Sequence, residues 1–332
     1  MNSFPEIRSV SVAAKSPGLA PEAIDAVVIV PTFRRPKQIL DTLATLKAQK
    51  TTRRFAIILI ENDAEGREGV TAAAPLFAAG TYDGMVIVAH ERGNCSAYNA
   101  GLATALLQFP HFRHLAIIDD DEVADPDWLE TMCTAAETLG ADIVGGPQVP
   151  VFSDPAHERF ASHPVFAPAY AQSGIVPALY SSGNLLIGRQ VLAEMPAPFL
   201  DTRFNFMGGG DSDFLSRACV RGFRLAWCAE AIVRETVPAR RVEADWIRAR
   251  SLRNGVISTL VQKRKLADRP FGGVQVVLKS LALLAASPFR AVAAWLRTGS
   301  LSVGLYPVYV SAGRVLAEFG YANEQYRQPE KN

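Results

Sequence analysis

Between residues 26 and 146 the chain alternates short, unbroken apolar runs with longer stretches whose apolar residues recur every three or four positions. AVVIV (26–30), FAIILI (55–60), MVIVA (85–89) and LAII (115–118) are too short for helices and end in turn residues, which predicts strands. After the first, PKQILDTLATLKAQ (36–49) puts Ile39, Leu40, Leu43 and Leu46 on one helical face, with Pro36 at its start. A second helix is expected from about Ser96 to Phe109. Another opens at Asp125-Pro126, read as an N-cap followed by proline at the first helical position, and runs through Leu139. ADIVGG (141–146) closes this half.

Strands apolar on both faces and alternating with helices predict an α/β fold, a Rossmann-like, mostly parallel, doubly wound sheet. Such sheets bind ligands beyond the carboxyl ends of their strands. The polar clusters fall there: Thr32, Glu61–Asp63, Arg92–Asn94 and Asp119–Asp121. The section from about Pro147 to Tyr180 is rich in Pro, Ala, Ser and His with weak periodicity, and is expected as a long loop region over the site. A strand NLLIG (184–188) follows. FMGGGDSDFLSRACVRG (206–222) then holds a helix with Phe214, Leu215, Ala218 and Cys219 inward and its end at Gly222, before a strand FRLAWC (223–228).

Charge changes this picture. The net charge is only +1, and no nucleic-acid partner is expected; yet residues 240–332 carry 15 Lys+Arg against 6 Asp+Glu, and the first 239 carry 19 against 27. The basic tail suits an anionic surface such as phospholipid or pyrophosphate. Cys95, Cys133, Cys219 and Cys228 have no CxxC spacing and read as ordinary reduced core cysteines. Residues 1–24 lack the continuous apolar core of a signal peptide and are expected to be disordered or extended, in a cytoplasmic protein.

The strand at 115–118 runs into Asp119, Asp120, Asp121 and Glu122. Four adjacent carboxylates repel one another unless something positive sits among them. A divalent cation, Mn²⁺ or Mg²⁺, prefers such oxygen ligands and keeps positions for phosphate. Asp211 and Asp213 form a second acidic pair, and either could also serve the helix that follows, as N-cap or first-turn acid.

Taken together, VVIVPTFRRP, IENDAEG, RGNCSAYNAGL, IIDDDE, GGGDSDF and RSLRNG resemble the family 2 glycosyltransferases with the GT-A fold, most of all succinoglycan-type exopolysaccharide glucosyltransferases. The resemblance covers roughly residues 25–256, leaving 257–332 as a basic, apolar, helical C-terminal extension. It implies that Asp121 ligates the metal, with Asp119 at the ribose or a metal-bound water and Asp120 beside them on the donor. Pro31, Thr32, Glu61, Asn62 and Asp63 match the nucleoside pocket. Arg92 and Asn94 precede a helix, where backbone N–H groups commonly meet anions. Asn99 keeps its match, while Tyr98 replaces the usual arginine. Asp211 matches the base of a Glu-Asp pair whose glutamate is Gly210 here. Asn184, Asp213, Trp246, Arg250 and Arg253 fall on the acceptor and diphosphate side. The implied activity is inverting, metal-dependent transfer of a sugar, UDP-glucose being the expected donor, to a lipid-linked saccharide. A nucleotidyltransferase would want a glycine-rich loop where PTFRRP stands, and Gly210 motivates the further alternative of an inactive nucleotide- or glycan-binding relative.

The most apolar stretch is VQVVLKSLALLAASPFRAVAAWL (274–296). Lys279, Pro288 and Arg290 interrupt it, so one or two interfacial helices are expected on the inner face of the cell membrane rather than a span.

Overall fold

The computed structural model describes residues 9–321 and Arg327. The four apolar runs become β2 (Ala26–Thr32), β3 (Phe55–Glu61), β4 (Gly84–Ala89) and β5 (His114–Ile118), preceded by β1 (Val10–Lys15). Helices α1 (Gln38–Lys47), α2 (Glu68–Ala78) and α3 (Asn94–Gln108) connect them. There follow β6 (Glu122–Ala124), α4 (Trp128–Leu139), β7 (Ile143–Gly145), β8 (Gln148–Phe152) and β9 (Gly174–Ile175). The rest comprises β10 (Asn184–Gly188), α5 (Arg189–Glu194), α6 (Gly210–Val220), β11 (Leu225–Trp227), β12 (Val233–Val237), α7 (Ala244–Lys265), α8 (Gly272–Thr298) and α9 (Leu301–Leu316).

The main sheet has the order β1-β4-β3-β2-β5-β10-β7-β11-β9. Its β4-β3-β2-β5 block is parallel. Beyond β5 the sheet is mixed, because β10 runs antiparallel to both β5 and β7. Alternate residues of each parallel strand serve opposite faces. Val27, Ile29, Ile58 and Ile60 join one core cluster, and Val28, Val30, Ile57 and Leu59 the other. Chain order reverses direction between β2 and β5, which opens a crevice at their carboxyl ends.

Of the segment expected to be disordered or extended, residues 10–15 are extended, as an edge strand paired antiparallel to β4; residues 1–8 lie outside the described residues. Three expectations are corrected. Helix α4 starts at Trp128, and Asp125 is not its cap, because Asp125 directly follows β6, donates its N–H to the Ile232 carbonyl and pairs through its side chain with Arg234. The stretch read as one long loop contains β8 and β9, and β8 builds a second sheet, β6-β12-β8, beside the acidic turn. Strands of two to five residues carry too little periodicity to announce themselves.

The third correction concerns the C-terminal region, part of which (322–326 and 328–332) lies outside the described residues. The expected boundary after residue 256 falls inside α7, and α9 packs tightly along that helix. A Cβ at Gly255 would sit 2.1 Å from the Val310 carbonyl, and one at Gly313 2.0 Å from that of Leu252. Buried Arg314 donates to Ser258 (2.7 Å) and Gln262 (2.8 Å). Nor does Pro288 break α8. The proline cannot bond the carbonyl of Leu284, and the Ser287 hydroxyl donates to that oxygen instead (2.8 Å).

Candidate active site

A cavity of about 1300 Å³ opens at the carboxyl ends of β2 and β5, roofed by residues 164–169 and 177–182 and walled by α6 and α7. Of the residues singled out from sequence, Pro31, Thr32, Asn62, Arg92, Asn94, Asp119, Asp120, Asp121, Asn184, Asp211, Trp246, Arg250 and Arg253 line it. Glu61, Asp63, Asn99 and Asp213 do not.

The acidic turn is held from several sides. Asp120 accepts from the Thr32 hydroxyl (2.8 Å), the Phe33 N–H (3.3 Å) and Arg35 (2.7 Å), so its carboxylate organises the turn and is not free for a donor. Arg35 also pairs with Asp121 (2.8 Å), and Arg241 approaches the same oxygen at 3.9 Å. Tyr98 donates its hydroxyl to Asp119 (2.5 Å), and Glu122 accepts from the Asp119 N–H (2.9 Å). Burial and the charge of Asp121 push Asp119 up to about 7. Glu122 is pushed up by burial and by Asp119, and Glu235 is raised by burial against the opposing pull of Arg241. Five carboxylates thus share a low-dielectric space with Arg35 and Arg241, and the raised proton affinities of Asp119, Asp120, Glu122 and Glu235 mark a demand for more positive charge. The donors are all oxygens, the set a hard divalent cation prefers. Among the described residues no three His, Cys, Asp or Glu converge as a ready-made cage. That fits a cation held by one or two carboxylates and completed by substrate phosphates.

Several candidates turn out to be scaffold. Glu61 is buried and accepts from the N–H groups of Asp63 (2.9 Å), Gly69 (2.7 Å) and Val70 (3.3 Å), satisfying the first turn of α2. Asp63 pairs with Arg34 (2.6 Å). Asn62 reaches the cavity wall, but its amide fixes the 89–93 turn through the carbonyl of Glu91 (2.8 Å) and the N–H of Gly93 (2.8 Å). The N-terminus of α3 is not open to an anion at two positions, because the Asn205 carbonyl accepts from Asn94 N–H (3.4 Å) and its side chain from Ser96 N–H (2.9 Å). Asn184 spends its amide on Pro147, Ala231 and the Trp128 indole, at 2.8–3.0 Å.

Asn99 both donates to and accepts from the backbone of Leu200 (2.7 and 2.8 Å), tying α3 to the segment before α6. Replacing Asn99 by Ala strands that buried peptide. The expected loss is about 1–3 kcal/mol of stability in denaturant unfolding, with nucleotide affinity unchanged. A large loss of affinity at full stability would return Asn99 to the donor site.

Across the cavity, Asp211 is the second residue of α6 and is not its cap; Gly209, at φ 95°, holds that place. Gly210 explains itself. A Cβ there would lie 2.4 Å from the Cys95 sulfur, so any side chain at this position would force the buried Cys95 to move. Burial raises Asp211, opposed by the Ser212 N–H bond and by Arg253 and Arg250. Asp213 instead turns away and is 1% exposed, paired with Arg217 (2.8 Å) and Arg264 (2.9 Å). Trp246 stacks on Phe166 (6.1 Å between centroids, 8° between planes), with the Arg241 and Arg250 guanidinium groups 5.8 Å from its ring.

Sequence reasoning passed over Arg35, Arg241, Glu235 and Asn205. Arg35 was findable, since a basic turn after one strand must face the acidic turn of its neighbour in a parallel sheet. The other three arrive from distant segments and left no local signal.

Residues 27–195 match the profile described as Glycosyl transferase family 2. The chain is 29% identical over 268 residues to the succinoglycan biosynthesis protein ExoM of Rhizobium meliloti (strain 1021), spanning 76% of this chain and 78% of that protein. Its structure is similar to the mannosyltransferase PcManGT of Pyrobaculum calidifontis, solved with GDP-Man and Mn²⁺ (TM-score 0.54, 17% identity, 91% of each chain). It is also similar to residues 1–349 of S. aureus TarS, solved with UDP (TM-score 0.50, 13% identity, 92% of each chain).

Proposed function

The chain belongs to glycosyl transferase family 2 and has the GT-A fold, and from that premise we propose an inverting sugar transfer in exopolysaccharide assembly. The observation that carries this reading is the placement of Asp211 across one cavity from the acidic end of β5. The nucleotide diphosphate sugar lies with its diphosphate toward Asp119 and Asp121. Those two residues would hold Mn²⁺ or Mg²⁺, which would supply positive charge against the departing diphosphate. Asp211 takes the proton of the acceptor hydroxyl as its oxygen bonds to the anomeric carbon and the bond to the diphosphate breaks on the opposite face. Arg250 and Arg253 flank the reacting end, and Trp246 with Phe166 offers an aromatic platform for a sugar ring. Glucose from UDP-glucose is the donor we assign, on the motif resemblance to succinoglycan-type exopolysaccharide glucosyltransferases. A thermal-shift panel of nucleotide diphosphate sugars, with and without Mn²⁺, tests it, since a specific ligand stabilises the native state by mass action. UDP-glucose should give the largest metal-dependent shift; no shift with any sugar nucleotide sinks the proposal.

The lipid-linked acceptor and the cytoplasmic membrane face belong to the same reading. Val274, Leu278 and Leu281, and after a step of two turns Phe289, Val292 and Leu296, share one side of α8 and are all exposed, Phe289 by 79%. By length and composition α8 could cross a membrane, and 17% of its apolar stretch is buried in the protein. An apolar stripe of this size with Arg290 and Arg297 beside it suits a helix lying in the lipid interface. Because α9 and α7 are packed together, the test is a surface change and not a truncation. Leu281→Glu/Phe289→Glu/Leu296→Glu should move the protein from the membrane to the soluble fraction while it stays folded. High salt should release part of the wild type. Wild-type protein that is soluble at low salt would overturn the assignment.

A further inference from the structure

The cavity does not stop at the catalytic end. Trp246, Arg250, Arg253, Ile257, Val261 and Lys265 all line it, recurring every three or four residues on one face of α7. The 19 steps from Trp246 to Lys265 rise roughly 28 Å at about 1.5 Å each. The cavity is therefore a groove, far longer than one sugar needs. Tyr306 and Val310 of α9 line its middle, Tyr306 beside Asn254 and Val310 against Gly255, while Lys265 and Lys279 of α8 line its second end.

The charges at that end are distributed unevenly. Lys263 is paired with Glu318 (2.6 Å), and Arg264 with Asp201 and Asp213 (2.9 Å each). Among the described residues, Lys265 and Lys279 have no carboxylate partner, and both face the groove. They come from different helices, so only the tertiary packing brings them to one cavity. Lys279 lies on the same face of α8 as Arg297, five helical turns on, along the flank of its exposed apolar stripe. A ligand leaving the groove here meets two ammonium groups and then an apolar helix surface.

We propose that Lys265 and Lys279 form a phosphate-binding subsite that takes the phosphate of an amphiphilic, lipid-linked acceptor, with its saccharide along α7 toward Asp211 and its hydrocarbon against α8. The proposal rests on the transferase reading and adds where the acceptor's anionic junction is held. Ammonium groups bind phosphate as compact point charges and tolerate either one or two phosphates. Placing them at the groove's far end sets how much saccharide fits between the lipid and the base, so the subsite acts as a length gauge for the acceptor.

Farnesyl diphosphate and farnesol serve as probes, measured by calorimetry in metal-free buffer so that a metal-dependent diphosphate site at the acidic end does not contribute. Wild-type protein should bind farnesyl diphosphate about 10-fold or more tightly than farnesol, and Lys265→Gln/Lys279→Gln should abolish that difference. Arg290→Gln/Arg297→Gln, which removes equal charge from α8 at positions off the groove, should leave it. Vesicles of anionic and of zwitterionic lipid separate the two sources of phosphate. If the lysine pair governs binding to anionic vesicles and not to farnesyl diphosphate, the lysines serve the bulk membrane and the subsite is wrong. Equal affinity for the diphosphate and the alcohol, or equal effects of the two double variants, also overturns it. Manganese-dependent hydrolysis of the sugar nucleotide by the wild type is scored separately. Its absence removes the transferase reading, whereas its presence alongside a failed probe removes the subsite alone.

Discussion

Asp211→Asn lowers turnover by roughly 10²–10⁴-fold and leaves nucleotide-sugar affinity near wild type, the pattern expected when a positioned base is lost and binding groups are kept. Asparagine keeps the shape and can still accept from the Ser212 N–H (2.7 Å). Stability should not suffer either. Burial raises the Asp211 carboxyl above its unfolded value, so the native state disfavours the charge, and stability is lost as pH rises through the window between the two. A neutral side chain removes that cost, and the variant should melt no lower than wild type at neutral pH. The same shift fixes the acid limb of the activity profile. Because the base must be ionised, kcat/KM should fall as pH drops through a value above the ordinary aspartate range. Asp213→Asn makes the contrast. It weakens the pairs to Arg217 and Arg264, at an expected cost on the order of 1–3 kcal/mol, less than for a fully buried pair because Arg264 is 39% exposed, while activity per folded molecule persists. An inactive Asp213→Asn beside an active Asp211→Asn would move the base two residues along. Two active variants would place it elsewhere.

Asp121→Asn should abolish the metal-dependent part of nucleotide diphosphate binding, a loss of roughly 10²-fold or more in affinity when Mn²⁺ is present, and little when it is absent. The acidic turn should survive the change. Asp120 keeps Thr32, the Phe33 N–H and Arg35, and Asp119 keeps Tyr98. Arg35, freed from one of its two partners, remains paired with Asp120 at 2.7 Å. Calorimetric titration of UDP into both proteins, with and without Mn²⁺, decides the matter. A variant with unchanged manganese-dependent affinity means that Asp121 does not hold the metal.

The parallel half of the sheet, the crevice at its strand ends and the two acidic constellations were legible in the chain's local pattern. Each was legible because it is local: an apolar run of five or six residues between turns is a strand whatever surrounds it, and polar clusters just after such runs must lie at one end of the sheet. That pattern could not separate groups that meet substrate from groups that hold the frame. Asp119, Asp120, Glu61, Asp63, Asp211 and Asp213 are all carboxylates at element ends, and only the packing assigns Asp211 to the cavity wall and Asp213 to a buried ion pair. The second sheet was equally hidden, since β8 and β12 are strands because they pair, 85 residues apart, and not because their sequences insist on it. The same holds for α8. Composition announced an apolar helix, but which of its faces packs against the protein and which stays exposed depends on the packed chain, because burial is a property of neighbours that a single segment cannot specify.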